Sequence, residues 1–180
     1  MPKRRVVRHE VTQPLDKPYR LIPLTQGQNA IVDSDDFEWL SKWNWNAHWD
    51  AHANCFYARR KQSGKTIMMH REIMHLKIGE LVDHGNRNSL DNRKENLRYA
   101  TVSQNTANTK NPSDNSSGYR GVSRTTSKKE RWRAVIIHQG RYIHIGTFDT
   151  KQMAARAYDQ IAHRMFGEFA HLNYPQDINA

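Results

Sequence analysis

"LVDHGNRNSLDNRKENLRYATVSQN", residues 81–105, carries one histidine, two aspartates and five asparagines in a short polar run threaded with basic side chains. Val82 closes a strand, with Asp83 and His84 at its end. An Asn/Gly/Ser-rich loop follows, then "RKENLRYAT", then "VSQNTAN", which reads as a helix containing Asn105. Eleven residues separate His84 from Asn96, and eight separate Asn96 from Asn105. A strand pair followed by a helix can return the end of such a segment to its start. Asp83, His84 and Asn105 are then expected to face one point.

Those residue types suit one chemistry. Hydrolysis of a phosphodiester needs water made nucleophilic at neutral pH, and an imidazole titrating near 7 can take its proton. It also needs positive charge at the scissile phosphate and the leaving oxygen, which a hard divalent cation supplies. Magnesium takes oxygen ligands and keeps several waters, so one carboxylate and one amide oxygen suffice. Asp83 and Asn105 are the expected ligands, and His84 the expected base. The plain alternative is a surface histidine in a turn built from turn-forming asparagines. The full spacing, with "DNRKENLR" inside it, favours the site.

Composition points the same way. The chain has 180 residues and a formal net charge of +10, with a sequence pI of about 9.9 and a mean hydropathy of −0.92. Such a charge attracts polyanions, nucleic acid first among them. The polar balance argues for two or three small cores rather than one large one. Neither an apolar span nor a basic amphipathic helix suggests a membrane. A single cysteine, Cys55, allows no internal disulfide or paired-thiolate zinc site. "MPKRRVVRHE" lacks the apolar run of a secretory signal, so an intracellular location is expected.

Upstream of the polar run, "RLIPL" and "NAIVD" read as strands around a turn at Gln26-Gly27. "SDDFEWLSKW" reads as a helix capped by Ser34. "WNWNAHWD" and "NCFYARR" read as strands, "SGK" as a turn, and "TIMMHREIMHL" as a strand passing into a helix. The tryptophans at 39, 43, 45 and 49 are expected in and around the core. His70 is expected to be structural, between strand and helix, rather than to touch substrate or the water shell of a metal.

The segment resembles the HNH nuclease motif, the ββα-metal fold, in the form in which asparagine replaces the last histidine. "VDH", "LDNRKENLR" and "SQN" carry the likeness, which extends over residues 20–108 and is the pattern of phage and intron-associated homing endonucleases. The resemblance implies His84 as general base, Asp83 and Asn105 as metal ligands for one Mg²⁺ or Mn²⁺, and Asn96 as the residue that holds the loop. Asn92 and Arg93 would stabilise that loop, and Arg98 would meet phosphate. Gly85 and "NRNS" depart from the usual pattern.

"NTKNPSDNSSG", residues 108–118, is aperiodic and marks a domain boundary. Beyond it, "GYRGVSRTT", "RWRAVIIHQ" and "RYIHIGTFD" read as three strands, with turns at "KKE" and "QG". "TKQMAARAYDQIAHRMFG" reads as a helix capped by Thr150 and ended by Gly167. The alternation turns Trp132, Ala134 and Ile136 to the helix and leaves a basic, aromatic outer face. "GYRGVSR", "RWRAVI", "IGTFDT" and "AARAYDQIAHRMFGEFAHLNYP" resemble the APETALA/ethylene-response-factor DNA-binding domain, over residues 116–175. That family reads duplex DNA with the exposed sheet face. The positions carried over are Arg120, Arg124, Arg131, Arg133, Tyr142 and His144. Ser123, Val135 and Ile137 stand where plant members often carry Arg or Glu, so base preference does not transfer.

The expected fold is α+β: a small N-terminal mixed α/β region leading into a ββα-metal HNH module, then a three-stranded antiparallel sheet packed on one helix. The expected divisions are a basic tail at 1–18, the nuclease module at 19–108, a linker at 109–117, the DNA-binding domain at 118–175 and a tail at 176–180. The expected partner is double-stranded DNA, with no membrane and no protein partner evident. The rivals are a DNA-binding regulator with a decayed nuclease module and a basic RNA-binding protein.

Overall fold

In the first compact unit, residues 1–99, strand β1 (Tyr19–Pro23) pairs antiparallel with β2 (Asn29–Asp33). Gln26 and Gly27, both at positive φ, make the turn between them. The alternation buries Ile22, Ala30 and Val32. This computed structural model describes residues 8–109, 115–126 and 129–178. Lys3, Arg4 and Arg5 of the expected tail, most of the expected linker, and Lys128 of the expected turn lie outside them. Of the tail's described part, Gln13 exchanges two hydrogen bonds with the Leu21 backbone (2.8 and 2.9 Å). Arg8 donates to the Trp45 carbonyl at 2.9 Å.

Helix α1 (Ser34–Ser41) follows β2. Ser34 is its first residue rather than its cap. Asp33 holds the cap position without a side-chain cap bond, because its carboxylate accepts from the Lys94 amide at 2.8 Å. Strands β3 (Asn46–Asp50), β4 (Cys55–Gln62) and β5 (Lys65–Met68) form an antiparallel sheet in that order. Ser63 and Gly64, both at positive φ, make the two-residue turn between β4 and β5. Helix α2 (Met69–Ile73) continues directly from β5.

The core gathers Leu24, Leu40, Trp45, Met69 and Ile73. It also holds a charge: Arg60 is 3% exposed. Glu72 takes it bidentately at 2.5 and 3.1 Å, and its guanidinium lies 4.0 Å from the Trp43 ring and 5.4 Å from the Trp45 ring. A buried arginine persists only when its fork is met in this way. Trp43, although exposed on one side, is therefore the lid over this ion pair.

Strands β6 (Leu81–His84) and β7 (Leu97–Ala100) form a separate two-stranded sheet. The loop between them docks on β2. The Ile31 amide donates to the Leu90 carbonyl, and the Asn92 amide donates to the Ile31 carbonyl, both at 2.8 Å. The polar run is thus an edge continuation of the first hairpin.

The second unit, residues 100–180, begins with α3 (Val102–Ala107), closed at its start by a Thr101/Gln104 capping box. Strands β8 (Val122–Arg124), β9 (Trp132–His138) and β10 (Arg141–Phe148) form an antiparallel sheet with β9 central. Helix α4 (Lys151–Phe166) covers one face; Thr150 caps it and Gly167 ends it. Val122, Ala134, Ile136, Ala154, Tyr158 and Ala162 form the core. The register shifts between His144 and Gly146, a bulge that interrupts the alternation expected in β10. The fold is α+β. No helix among the described residues is long and apolar enough to cross a membrane.

Gly121 is where this unit is tightest. Its φ is +70°, and a Cβ there would meet the Tyr158 ring at 2.1 Å and the Val135 carbonyl at 2.7 Å. Gly118, at φ +76°, faces open space. Gly121→Ala is therefore expected to destabilise the second unit by about 3 kcal/mol or more, and Gly118→Ala by about 1 kcal/mol. Calorimetric melting of both variants checks this; equal costs would contradict it.

Candidate functional site

Asp83 and His84 end β6, 4% and 7% exposed. The turn after them is closed by Asn96. Its Oδ1 accepts from the Asn86 amide at 2.8 Å, and its Nδ2 donates to the Asp91 carbonyl at 2.7 Å. The Gly85 amide donates to the Asn96 carbonyl at 2.9 Å. Asp91, 2% exposed, is held in turn. Arg93 forks onto it at 2.8 and 2.7 Å, and Asn86 Nδ2 donates to it at 2.8 Å. Burial pushes its carboxyl up, but the Arg93 and Asn86 bonds outweigh burial and hold it below the usual range.

The His84 ring sits in an aromatic corner. Its centroid lies 5.2 Å from that of His70, nearly perpendicular, and 6.2 Å from that of Tyr57. Burial lowers the His84 pKa; the Asn92 side chain and the Asp83 and Asp91 carboxylates oppose this without reversing it. The imidazole is therefore neutral at pH 7, the form that accepts a proton. His70, at the second position of α2, is lowered to about 3, by burial first and then by the His84 and Arg71 charges. Burial raises the Tyr57 phenol, so it stays protonated.

Asp83 is paired. Arg98 donates to its Oδ2 through Nε at 2.9 Å and Nη2 at 2.7 Å. The arginine expected to meet phosphate thus orients the carboxylate across the β6–β7 pair. A buried carboxylate needs positive charge nearby. Arg98 supplies one, and a hard divalent cation is the other kind of partner that such an oxygen takes. Among the described residues no group of three His, Cys, Asp or Glu side chains gathers to hold a metal. The donor chemistry fits an ion bound by few protein oxygens. Asn105 stands half-buried on α3, in the second unit.

The six positions carried over for DNA contact separate into two groups. Arg133, Tyr142 and His144 line one groove on the outer sheet face, together with Val135 and Ile137. The other three lie outside that lining. Arg120 donates to the Tyr158 hydroxyl at 3.0 Å and to the Thr106 and Thr109 carbonyls at 2.8 and 2.5 Å. Arg131 pairs with Asp149 at 3.2 Å, and Arg124 with Glu130 at 3.2 Å. The Arg120 backbone is also clasped by Asn173, which with the Tyr174 amide binds the buried Asp159 carboxylate.

The Tyr57–His70–His84 corner has no direct sign in the sequence, since its members come from three separate elements. The only available signal was the alternation Cys55-Tyr57-Arg59 on one face of β4.

A family model described as HNH endonuclease matches residues 70–107, and one described as AP2 domain matches residues 117–168. An uncharacterized HNH endonuclease of Acanthamoeba polyphaga mimivirus is 32% identical over 158 residues, covering 84% of this chain and 78% of that protein. The chain belongs to the HNH endonuclease family. Its second unit carries the AP2 DNA-binding domain: dehydration-responsive element-binding protein 2D of Arabidopsis thaliana is 36% identical over 92 residues, 49% of this chain and 44% of that protein. The HNH match opens at His70, the histidine that packs against His84.

The depressed His70 pKa has a stability consequence. Between pH 6.5 and about 3 the unfolded chain binds a proton at His70 that the folded chain does not. Stability from this group is present above pH 6.5 and is lost as pH falls. His70→Phe is expected to flatten the fall in melting temperature over pH 6.5 to 4; an unchanged slope would contradict the burial of a neutral imidazole.

Proposed function

We propose that this HNH family member is a site-directed DNA endonuclease, one of the homing type, that hydrolyses one phosphodiester bond at a time. What most supports this reading is the pairing at the end of β6: a neutral, buried His84 imidazole beside an Asp83 carboxylate oriented by Arg98. His84 takes a proton from water as the water oxygen bonds to phosphorus and the phosphorus–O3′ bond breaks, and the departing O3′ takes a proton from solvent. The products are a 5′-phosphate and a 3′-hydroxyl. Asp83 and Asn105 are the residues that would hold one Mg²⁺ or Mn²⁺. Such an ion, when bound, neutralises charge on the scissile phosphate and the leaving oxygen. Asn96 acts through the loop and keeps His84 in position. The AP2 domain supplies affinity for duplex DNA, and the working location is intracellular.

Nicking of supercoiled plasmid tests this. With Mg²⁺ the wild type is expected to convert supercoiled to open circular DNA, and EDTA to stop it. His84→Ala is expected to bind DNA as the wild type does and to nick at least about a hundredfold more slowly. Binding without any metal-dependent nicking by the wild type would point instead to a DNA-binding regulator.

A further inference from the structure

We propose that the outer face of the β8–β9–β10 sheet selects thymine-rich duplex DNA by covering 5-methyl groups in the major groove, with Arg133 taking a neighbouring guanine. This rests on the DNA-binding reading above and names its substrate class. Directly paired residues of an antiparallel sheet share a face. The register therefore stacks three outer rows: Ser123, Arg133 and Thr147; then Val135 and His144; then Ile137 and Tyr142. Two of the three rows carry an aliphatic side chain beside a ring.

The arginines do not change this character. Arg131 and Arg124 lie outside the groove lining; their pairs with Asp149 and Glu130 are exposed ones, worth little and replaceable by a phosphate. Arg124 also pairs with Trp132, on the helix-covered face. Arg120 donates to the Tyr158 hydroxyl and to carbonyls of its own unit. Within the groove lining, the fork that can take a guanine bidentately is that of Arg133, at one end; its Nη2 donates to the Ser123 hydroxyl at 3.4 Å. The centre is aliphatic and open to solvent: Ile137 is 44% and Tyr142 79% exposed. They belong to a groove of about 620 Å³.

The occupant is duplex DNA on grounds of charge and width. The chain carries a net charge of +10. Three strands set ~4.8 Å apart span roughly 10 Å, within a major groove of roughly 12 Å. In that groove only thymine presents a methyl group for Val135, Ile137 and the Tyr142 ring to cover.

The test selects from a random duplex library with full-length His84→Ala, without divalent ions, and sequences the bound fraction. Thymine runs beside a single guanine are expected. Replacing each selected thymine by deoxyuridine removes only the methyl and should weaken binding about three- to fourfold per contacted base, the worth of one buried carbon. Ile137→Ser should lose part of that sensitivity, and Arg133→Ala should lose the guanine but keep it. Enrichment of G·C-only sites, or equal binding of thymine and uracil duplexes, overturns the methyl-reading face and leaves DNA binding standing. Failure to bind any duplex overturns both.

Discussion

Asn96 bridges the polar loop with two bonds at once, accepting from the Asn86 amide and donating to the Asp91 carbonyl. The side chain is 8% exposed, so each bond lost there would leave a buried polar group bare at a cost of about 1–3 kcal/mol. Around it the loop is closed again and again: Arg93 forks onto Asp91, Asp33 accepts from Lys94, and Ile31 brackets residues 90 and 92 with its own backbone. A loop rich in Asn, Gly and Ser has no apolar payload of its own. It becomes fixed because its polar groups bond one another and the rigid elements beside it, Ile31 of the β1–β2 hairpin and the Phe56 carbonyl of β4, which accepts from the Ser89 hydroxyl. Asp83 and His84, at the mouth of that loop, inherit its rigidity.

The two units handle charge in different ways. The first buries it: Arg60 lies under two tryptophans and on Glu72, and Asp83 lies on Arg98. A buried pair is costly to break, because the group left behind is desolvated and alone. Such pairs fix orientation more than they add stability. The second unit meets its buried Asp159 carboxylate with the Asn173 and Tyr174 amides and packs alanines of α4 against Ala134 and Ile136. Gly121 lets β8 approach the Tyr158 ring. That close packing leaves the outer sheet face for contact.

Much of this was readable in the residues. Alternation gave the strands and the helix-covered face of β9, and Ser63-Gly64 and Gln139-Gly140 marked their turns. Capping gave Thr150 and Gly167. Ser34 misled, because nothing local shows that Asp33 will hold the cap position while its carboxylate accepts from an amide sixty-one residues away. Partnerships across the fold were the least legible. Arg98, expected to meet phosphate, also lies against Asp83 across β6 and β7. Arg120, carried over as a DNA contact, also donates to Tyr158 and to the end of α3. His70 and Tyr57 reach His84 from separate elements. Long side chains with several donors can serve either role, and only register and packing decide.

The claim that the loop clamp positions the proposed base is tested most directly by the single-turnover nicking rate of Asn96→Ala, measured with Mg²⁺ at saturating protein on a variant shown by calorimetry to be folded. A loop freed by even ~1 Å misplaces a reacting group enough to cost about a hundredfold. The account expects a rate lowered by about that factor with DNA affinity unchanged. A folded Asn96→Ala that nicks at the wild-type rate would contradict it.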